Sequence, residues 1–159
     1  MKHINQDGTF YFELEEKETG LSSFYIRKNR EIKKAVLPRG LKRIEEMAFY
    51  SCKNLREVVI PDTVEFLGDD LFAFSSDDVR IEYEGSSAKW RKLTEGVEIE
   101  RYELKRGQWD KYPYYNDEGS EYVKERHVMH FDWYCDKIEV FCKKDGVTLY
   151  YGWGNKDKR

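Results

Sequence analysis

The sequence predicts a short right-handed solenoid of the α/β repeat type with a 23-residue period, and three observations support that expectation. The stretch from Val36 to Tyr83 matches itself at an offset of 23: Pro38 falls on Pro61, Ile44 on Leu67, Phe49 on Phe72, Val58 on Ile81 and Ile60 on Tyr83. Within one period the apolar spacing changes. Val58 and Ile60 stand two apart, as on one face of a strand, whereas Val64, Leu67 and Leu71 stand three and four apart, as on a helical or 3₁₀ return. Pro38 and Pro61 each end a strand, because proline has no N–H to give a ladder.

The elements follow in order. Residues 10–16 (FYFELEE) and 21–28 (LSSFYIRK) are aromatic-rich runs separated by Lys17–Gly20, and they read as a β-hairpin covering the open end of the first coil. Ile32 stands one period before Leu55, so the repeat register begins inside EIKKAVLP. Ile44 over Leu67 and Phe49 over Phe72 are the expected interior ladders. A third turn starts in register at Arg80–Tyr83 and departs at Gly85-Ser86-Ser87, which leads into a short helix over Ala88–Leu93 with Ser86 or Ser87 as its N-cap. Trp90 stands one period after Leu67 and is expected to fill the last core layer. Beyond it the chain holds about half of all the aromatic residues. VEIERYEL (97–104) alternates as a strand does, and residues 136–152 read as a hairpin turning at Lys144-Asp145-Gly146. The expected division is an N-terminal hairpin cap (1–31), a solenoid (32–95) and an aromatic-rich antiparallel β cap with an insertion (96–159).

A period in the twenties with this patterning is the signature of a leucine-rich-repeat solenoid. LPRGLKRIEEMAFYSCKNLREVVIP and VIPDTVEFLGDDLFAF resemble the BspA-like class of these repeats. That class has a proline-ended strand, a return of the I-G-x-x-A-F-x-x-C kind, and then an N/S-L strand. Ile44, Ala48, Phe49, Cys52 and Leu55 match in one repeat, where Glu45 replaces the glycine; the next keeps Gly68 and has Leu71 and Ser75 in place of Ala and Cys. IEYEGSSAKWRKL resembles the ending common in the class, and Val140, Cys142, Asp145 and Gly146 resemble its final strand and turn. The resemblance implies a non-enzymatic module that binds a protein or a host surface, in a class typically displayed on bacterial cells or secreted.

Bulk properties narrow the remaining choices. The chain has 159 residues, 40% hydrophobic and 37% charged, with a net charge of −3. That balance argues against nucleic acid, whose binding normally shows a clustered basic excess. No apolar run approaches the length that spans a bilayer. The N-terminus lacks the apolar stretch of a secretory signal, so the expectation is either a cytoplasmic chain as written or one from which a leader has been removed. Cys52, Cys135 and Cys142 have no metal-type spacing and read as free buried thiols.

Three groups of residues are candidates for function. Lys34, Glu57 and Arg80 form one outward row of the strand ladder, and Val36, Val59 and Glu82 the next. Such rows bind partners in solenoids, although alternating charges there also satisfy one another. Trp109, Tyr112, Tyr114 and Tyr115 could stack on sugar rings or on a partner, or could form the core of the cap. A metal-dependent hydrolase using His127, His130 and Asp132 is a further alternative: on a helix the two histidines would share a face and could ligate a metal, but on a strand, which the flanking residues favour, they face opposite ways, and no third ligand has a recognisable spacing. There is no nucleophile motif or phosphate-cradling loop. The expectation is a protein-binding module without cofactor or metal. A glycan-binding module is the alternative, and self-association through an uncovered strand edge is a further partner class.

Overall fold

Parallel β-ladders, stacked coil upon coil, build most of the structure. The computed structural model describes residues 1–95, 97–103, 121–127, 130–132 and 135–158. Met1–Thr94 and His130–Arg159 form one compact unit, and Glu95–Met129 form a second.

In the first unit, β1 (Lys2–Gln6) and β2 (Thr9–Glu13) form an antiparallel hairpin, followed by the two-residue strands β3 (Gly20–Leu21) and β4 (Ile26–Arg27). Two coils then repeat one plan. A main strand, β5 (Lys34–Val36) or β8 (Glu57–Ile60), leads into β6 (Arg43–Ile44) and β7 (Phe49–Tyr50) in one coil and β9 (Phe66–Leu67) in the next. The strand β10 (Asp78–Tyr83) and helix α1 (Ser87–Thr94) complete the run. The second unit contains β11 (Val97–Glu103) and β12 (Glu121–His127), paired antiparallel from Val97 opposite His127 to Glu103 opposite Glu121. The chain then supplies β13 (Lys137–Cys142), β14 (Val147–Tyr151) and a closing 3₁₀ turn at Trp153–Lys158 to the first unit.

The main sheet runs β1-β2-β5-β8-β10-β13-β14. Its five inner strands are parallel, and β1 and β14 close the two ends as antiparallel strands. Phe10, Ala35, Val58, Ile81 and Val140 share one register row, and all are buried. Two shorter ladders form the other sides of each coil: β3-β6-β9 stacks Leu21, Ile44 and Leu67, and β4-β7 stacks Ile26 on Phe49. Phe49 in turn lies over Phe72, with ring centroids 5.9 Å apart and planes 14° from parallel. These are the interior ladders the period predicts.

The structure revises two expectations. The runs 10–16 and 21–28 do not pair with each other. The N-terminal hairpin is instead β1-β2, closed by Asp7 and Gly8, both at positive φ (53° and 85°), as a tight two-residue hairpin turn requires. Leu21 and Ile26 are drawn away because each has an interior slot one period below Ile44 and Phe49, so a full coil precedes the one in which the register was expected to begin. The returns are also not helical. The spacing of three and four comes from sharp corners at two recurring positions, Phe24, Met47 and Asp70 (φ 55°, 54°, 51°) and Lys28, Ser51 and Phe74 (φ 52°, 56°, 58°). Left-handed backbone costs a non-glycine residue about 1–2 kcal/mol, so these corners persist because the ladders on either side hold them. Hydrogen bonds one coil apart show the hold: Phe24 N–H to Met47 C=O, Met47 N–H to Asp69 C=O, and Ser51 N–H to Ala73 C=O, at 2.8–3.1 Å.

The short helix lies at the expected place. Ser86 Oγ caps the Lys89 N–H at 3.2 Å, while Ser87 donates through both N–H and Oγ to Asp145 Oδ2 at 3.0 and 2.7 Å. Those two bonds hold the Asp145 carboxyl below the usual range, and they join the β13-β14 turn to the helix start. Trp90 is fully buried against Tyr83 and Phe131, and its indole N–H donates to Tyr151 Oη at 3.1 Å.

The position that alternates between Cys and Ser is explained by a contact between coils. Ser75 Oγ donates to Phe49 C=O at 2.6 Å and accepts the Cys52 N–H at 2.7 Å. One coil down, Cys52 Sγ makes the corresponding contact with Ile26 C=O at 3.6 Å. Replacing Ser75 with alanine strands a buried amide and a buried carbonyl and should cost about 1–3 kcal/mol, read as a lower midpoint in urea with an unchanged slope. Ser75→Cys should recover most of that loss.

Candidate interaction surfaces

The outer face of the main sheet brings together the six predicted ladder residues. Lys34, Glu57 and Arg80 stand in one register row, continued by Glu139; Val36, Val59 and Glu82 stand in the next, continued by Phe141. The charges alternate and engage one another. Lys34 Nζ is 3.4 Å from Glu57 Oε2, Arg80 Nε is 3.9 Å from Glu139 Oε2, and the Arg80 guanidinium lies 5.7 Å from the Phe141 ring centre. Such exposed pairs contribute about 0–1 kcal/mol each, so they leave the face open to exchange partners at small cost. A shallow depression of about 80 Å³ lies among Lys34, Glu57, Arg80 and Glu82. The apolar row extends past the predicted residues onto the N-terminal hairpin: Val36 is beside Tyr11 (44% exposed), and Tyr11 is opposite Ile4 (61% exposed). Val59 is nearly covered by its neighbours, and Val36 and Phe141 are half-buried.

Trp109, Tyr112, Tyr114 and Tyr115 lie outside the described residues. His127 ends β12 in the second unit, and His130 and Asp132 belong to the first. His130 ties its segment to the corner at Asp70: its N–H donates to Asp69 Oδ1 at 2.6 Å, and its C=O accepts the Asp70 N–H at 3.0 Å. The Asp132 C=O accepts the Cys135 N–H at 3.2 Å. Among the described residues no group of three or more His, Cys, Asp or Glu side chains is placed to hold a metal ion.

The three cysteines are free and buried. Burial pushes the Cys135 thiol up to about 12 and the Cys142 thiol up to about 11, and it raises Cys52 as well. Since the thiolate is the reactive form, an aromatic disulfide reagent at pH 8 should modify none of the three in the folded protein and all three in denaturant. Rapid reaction of a native thiol would contradict the packing described above.

A second exposed feature has no counterpart in the ladder rows. On the outside of β4-β7, Phe24, Tyr50 and Phe74 pack edge to face across three coils, with centroids 5.3 and 5.6 Å apart. Phe24 is 44% and Phe74 55% exposed. A cavity of about 460 Å³ adjoins Phe74, with Lys53, Arg56, Asp77 and Asp78 along its wall. Nothing in the column pattern points to this ridge, because positions 24, 50 and 74 are not one period apart.

Stacked parallel coils of about 23 residues, with buried Leu, Ile, Val and Phe columns, define a leucine-rich-repeat solenoid. The chain belongs to the BspA type leucine rich repeat family, whose model matches residues 11–90. That match begins within β2 and ends at Trp90, so it includes the coil containing β3 and β4. No curated protein and no solved structure matches the chain. Among the described residues, no helix is long and apolar enough to cross a membrane.

Proposed function

We propose that this protein is a non-enzymatic protein-binding module whose partner docks on the outer face of the main sheet. The observation behind this reading is the apolar run Ile4, Tyr11 and Val36, continued along its row by Val59, Glu82 and Phe141, displayed beside the charge-paired row Lys34, Glu57, Arg80 and Glu139. An apolar strip bordered by charges that can re-pair fits a protein surface: the strip supplies area to bury and the charges supply register. Family membership supports the class, since such repeats often serve in protein–protein interaction.

The test is affinity capture with the full chain and with a Tyr11→Asp/Val36→Asp variant, read by quantitative mass spectrometry. Each substitution places a charge on the apolar row without entering the core. A partner recovered by the parent chain should fall about tenfold or more with the variant. Equal recovery by both would exclude this face.

A further inference from the structure

We infer that the outer side of β4-β7 is a second docking surface, fitted to an acidic peptide segment that carries an aromatic or aliphatic anchor. It is independent of the main-sheet face and of whichever partner that face takes.

The ridge Phe24-Tyr50-Phe74 supplies the apolar part. It is a contiguous row of rings in which Phe24 and Phe74, both partly exposed, each pack edge to face on Tyr50. Two of the three rings sit on left-handed corners, which project them outward.

The charges around the ridge supply the sign. Arg27 is beside Tyr50 in the ladder register, and Lys28 donates its N–H to the Tyr50 C=O at 2.9 Å. The Arg30 C=O accepts from Asn54 Nδ2 at 2.7 Å, which sets the loop holding Arg30 against the one holding Lys53 and Arg56. All five cations are exposed. The chain as a whole carries a net charge of −3. Lys2, Lys34, Arg39, Lys42, Arg43 and Arg80, elsewhere on the same unit, each lie within 4 Å of a glutamate. Among the described residues no ion pair engages Arg27, Lys28, Arg30, Lys53 or Arg56. Glu31, which follows Arg30, accepts from Asn5 Nδ2 at 3.4 Å, and Glu57, which follows Arg56, is 3.4 Å from Lys34 Nζ. A run of unneutralised cations around an apolar ridge is complementary to a segment with carboxylates flanking a bulky side chain. Asp77 and Asp78, beyond Phe74, would repel carboxylates at that end, so the acidic part of the segment belongs over the Arg27–Arg30 side.

The experiment is selection of a random-peptide display library on the full chain, followed by fluorescence-polarisation titration of the enriched peptides. The expected enrichment is in peptides with net negative charge and at least one aromatic or large aliphatic residue. Their affinity should fall about tenfold or more in Arg27→Glu/Lys53→Glu and in Phe74→Gly, and weaken on raising salt toward 1 M, where the Debye length is about 3 Å. Phe74→Gly removes the ring at a backbone position glycine adopts freely, so it should keep the parent thermal midpoint within a few degrees. Affinity should persist in Tyr11→Asp/Val36→Asp, which separates this surface from the main-sheet face. The proposal is overturned if no peptide is enriched, if those enriched are neutral or basic, or if acidic ones bind the charge-reversed variant as well as the parent. It is also overturned if a single-stranded oligonucleotide or a sulfated glycan of equal charge binds as tightly as the peptides, since the surface would then select charge alone.

Discussion

Replacing Gly68 with alanine should be among the most damaging single-methyl changes in the described residues. Gly68 follows β9, and its N–H donates to the Ile44 C=O of the neighbouring coil at 2.8 Å. A Cβ placed there would collide with the Glu46 backbone nitrogen and come within 2.8 Å of the Glu45 carbonyl carbon and Glu46 Cα. All three are backbone atoms, and no rotamer change relieves them. The coils cannot separate locally, because Arg43 opposite Phe66 and Ile44 opposite Leu67 fix their spacing on one side of the contact and Met47 N–H to Asp69 C=O on the other. Overpacking in a core commonly costs about 1–3 kcal/mol, and a collision with backbone held on both sides belongs at or above the top of that range. Chemical denaturation of Gly68→Ala should show a midpoint shift of that size or a failure to fold. A loss under about 1 kcal/mol would mean that the two coils are less closely nested than described.

Phe72→Ala should have an effect of similar or greater size. Phe72 and Phe49 are both fully buried and stacked on each other, and each belongs to a different coil. Removing the ring deletes apolar burial and leaves a cavity that the flanking ladders prevent from collapsing, for a cost of about 3–5 kcal/mol. The two rings touch, so the double variant Phe49→Ala/Phe72→Ala should lose less than the sum of the single losses. Simple additivity in urea unfolding would show that the stack carries no coupling between coils. Phe72→Leu, which keeps most of the volume, should recover the larger part of the stability.

Phe72 is legible in the sequence, because the 23-residue self-match marks the interior columns: a residue that must face inward in one coil must do so in the next. Gly68 falls on Glu45 at that offset, so only the family resemblance marks it. The outward rows are legible as Phe72 is, since Lys34, Glu57 and Arg80 fall into register once the columns do. What the columns do not reveal is how the chain turns between ladders. The corner residues Phe24, Met47, Asp70, Lys28 and Phe74 are not the glycine or asparagine that normally announces a left-handed backbone. Strands of two residues are too short to show alternation, so the spacing of three and four resembled a helix. The N-terminal hairpin did carry a signal in Asp7-Gly8 ahead of the alternating run Thr9–Glu13. It was masked by the richer aromatic content of residues 21–28, whose apolar residues serve the first coil instead. The Phe24-Tyr50-Phe74 ridge could not be read from any column, because its rings come from different places in successive coils and meet only through the fold.

The two corner series also govern how such a chain can change its length. Corners stand above corners because both series recur every 23 residues. Adding or removing one residue inside a coil would offset every later corner and turn the next buried ring outward. Length can therefore vary in only two ways: by whole coils, which leave the stacking unchanged, or by excursions that leave the ladder and rejoin it. Residues 95–129 are an excursion of the second kind. The chain departs after α1, and when it returns β13 pairs with β10 in unbroken parallel register, Asp78 opposite Lys137 through Tyr83 opposite Cys142. New sequence can be admitted at that junction without disturbing a single rung, whereas the coils themselves accept growth only in whole steps.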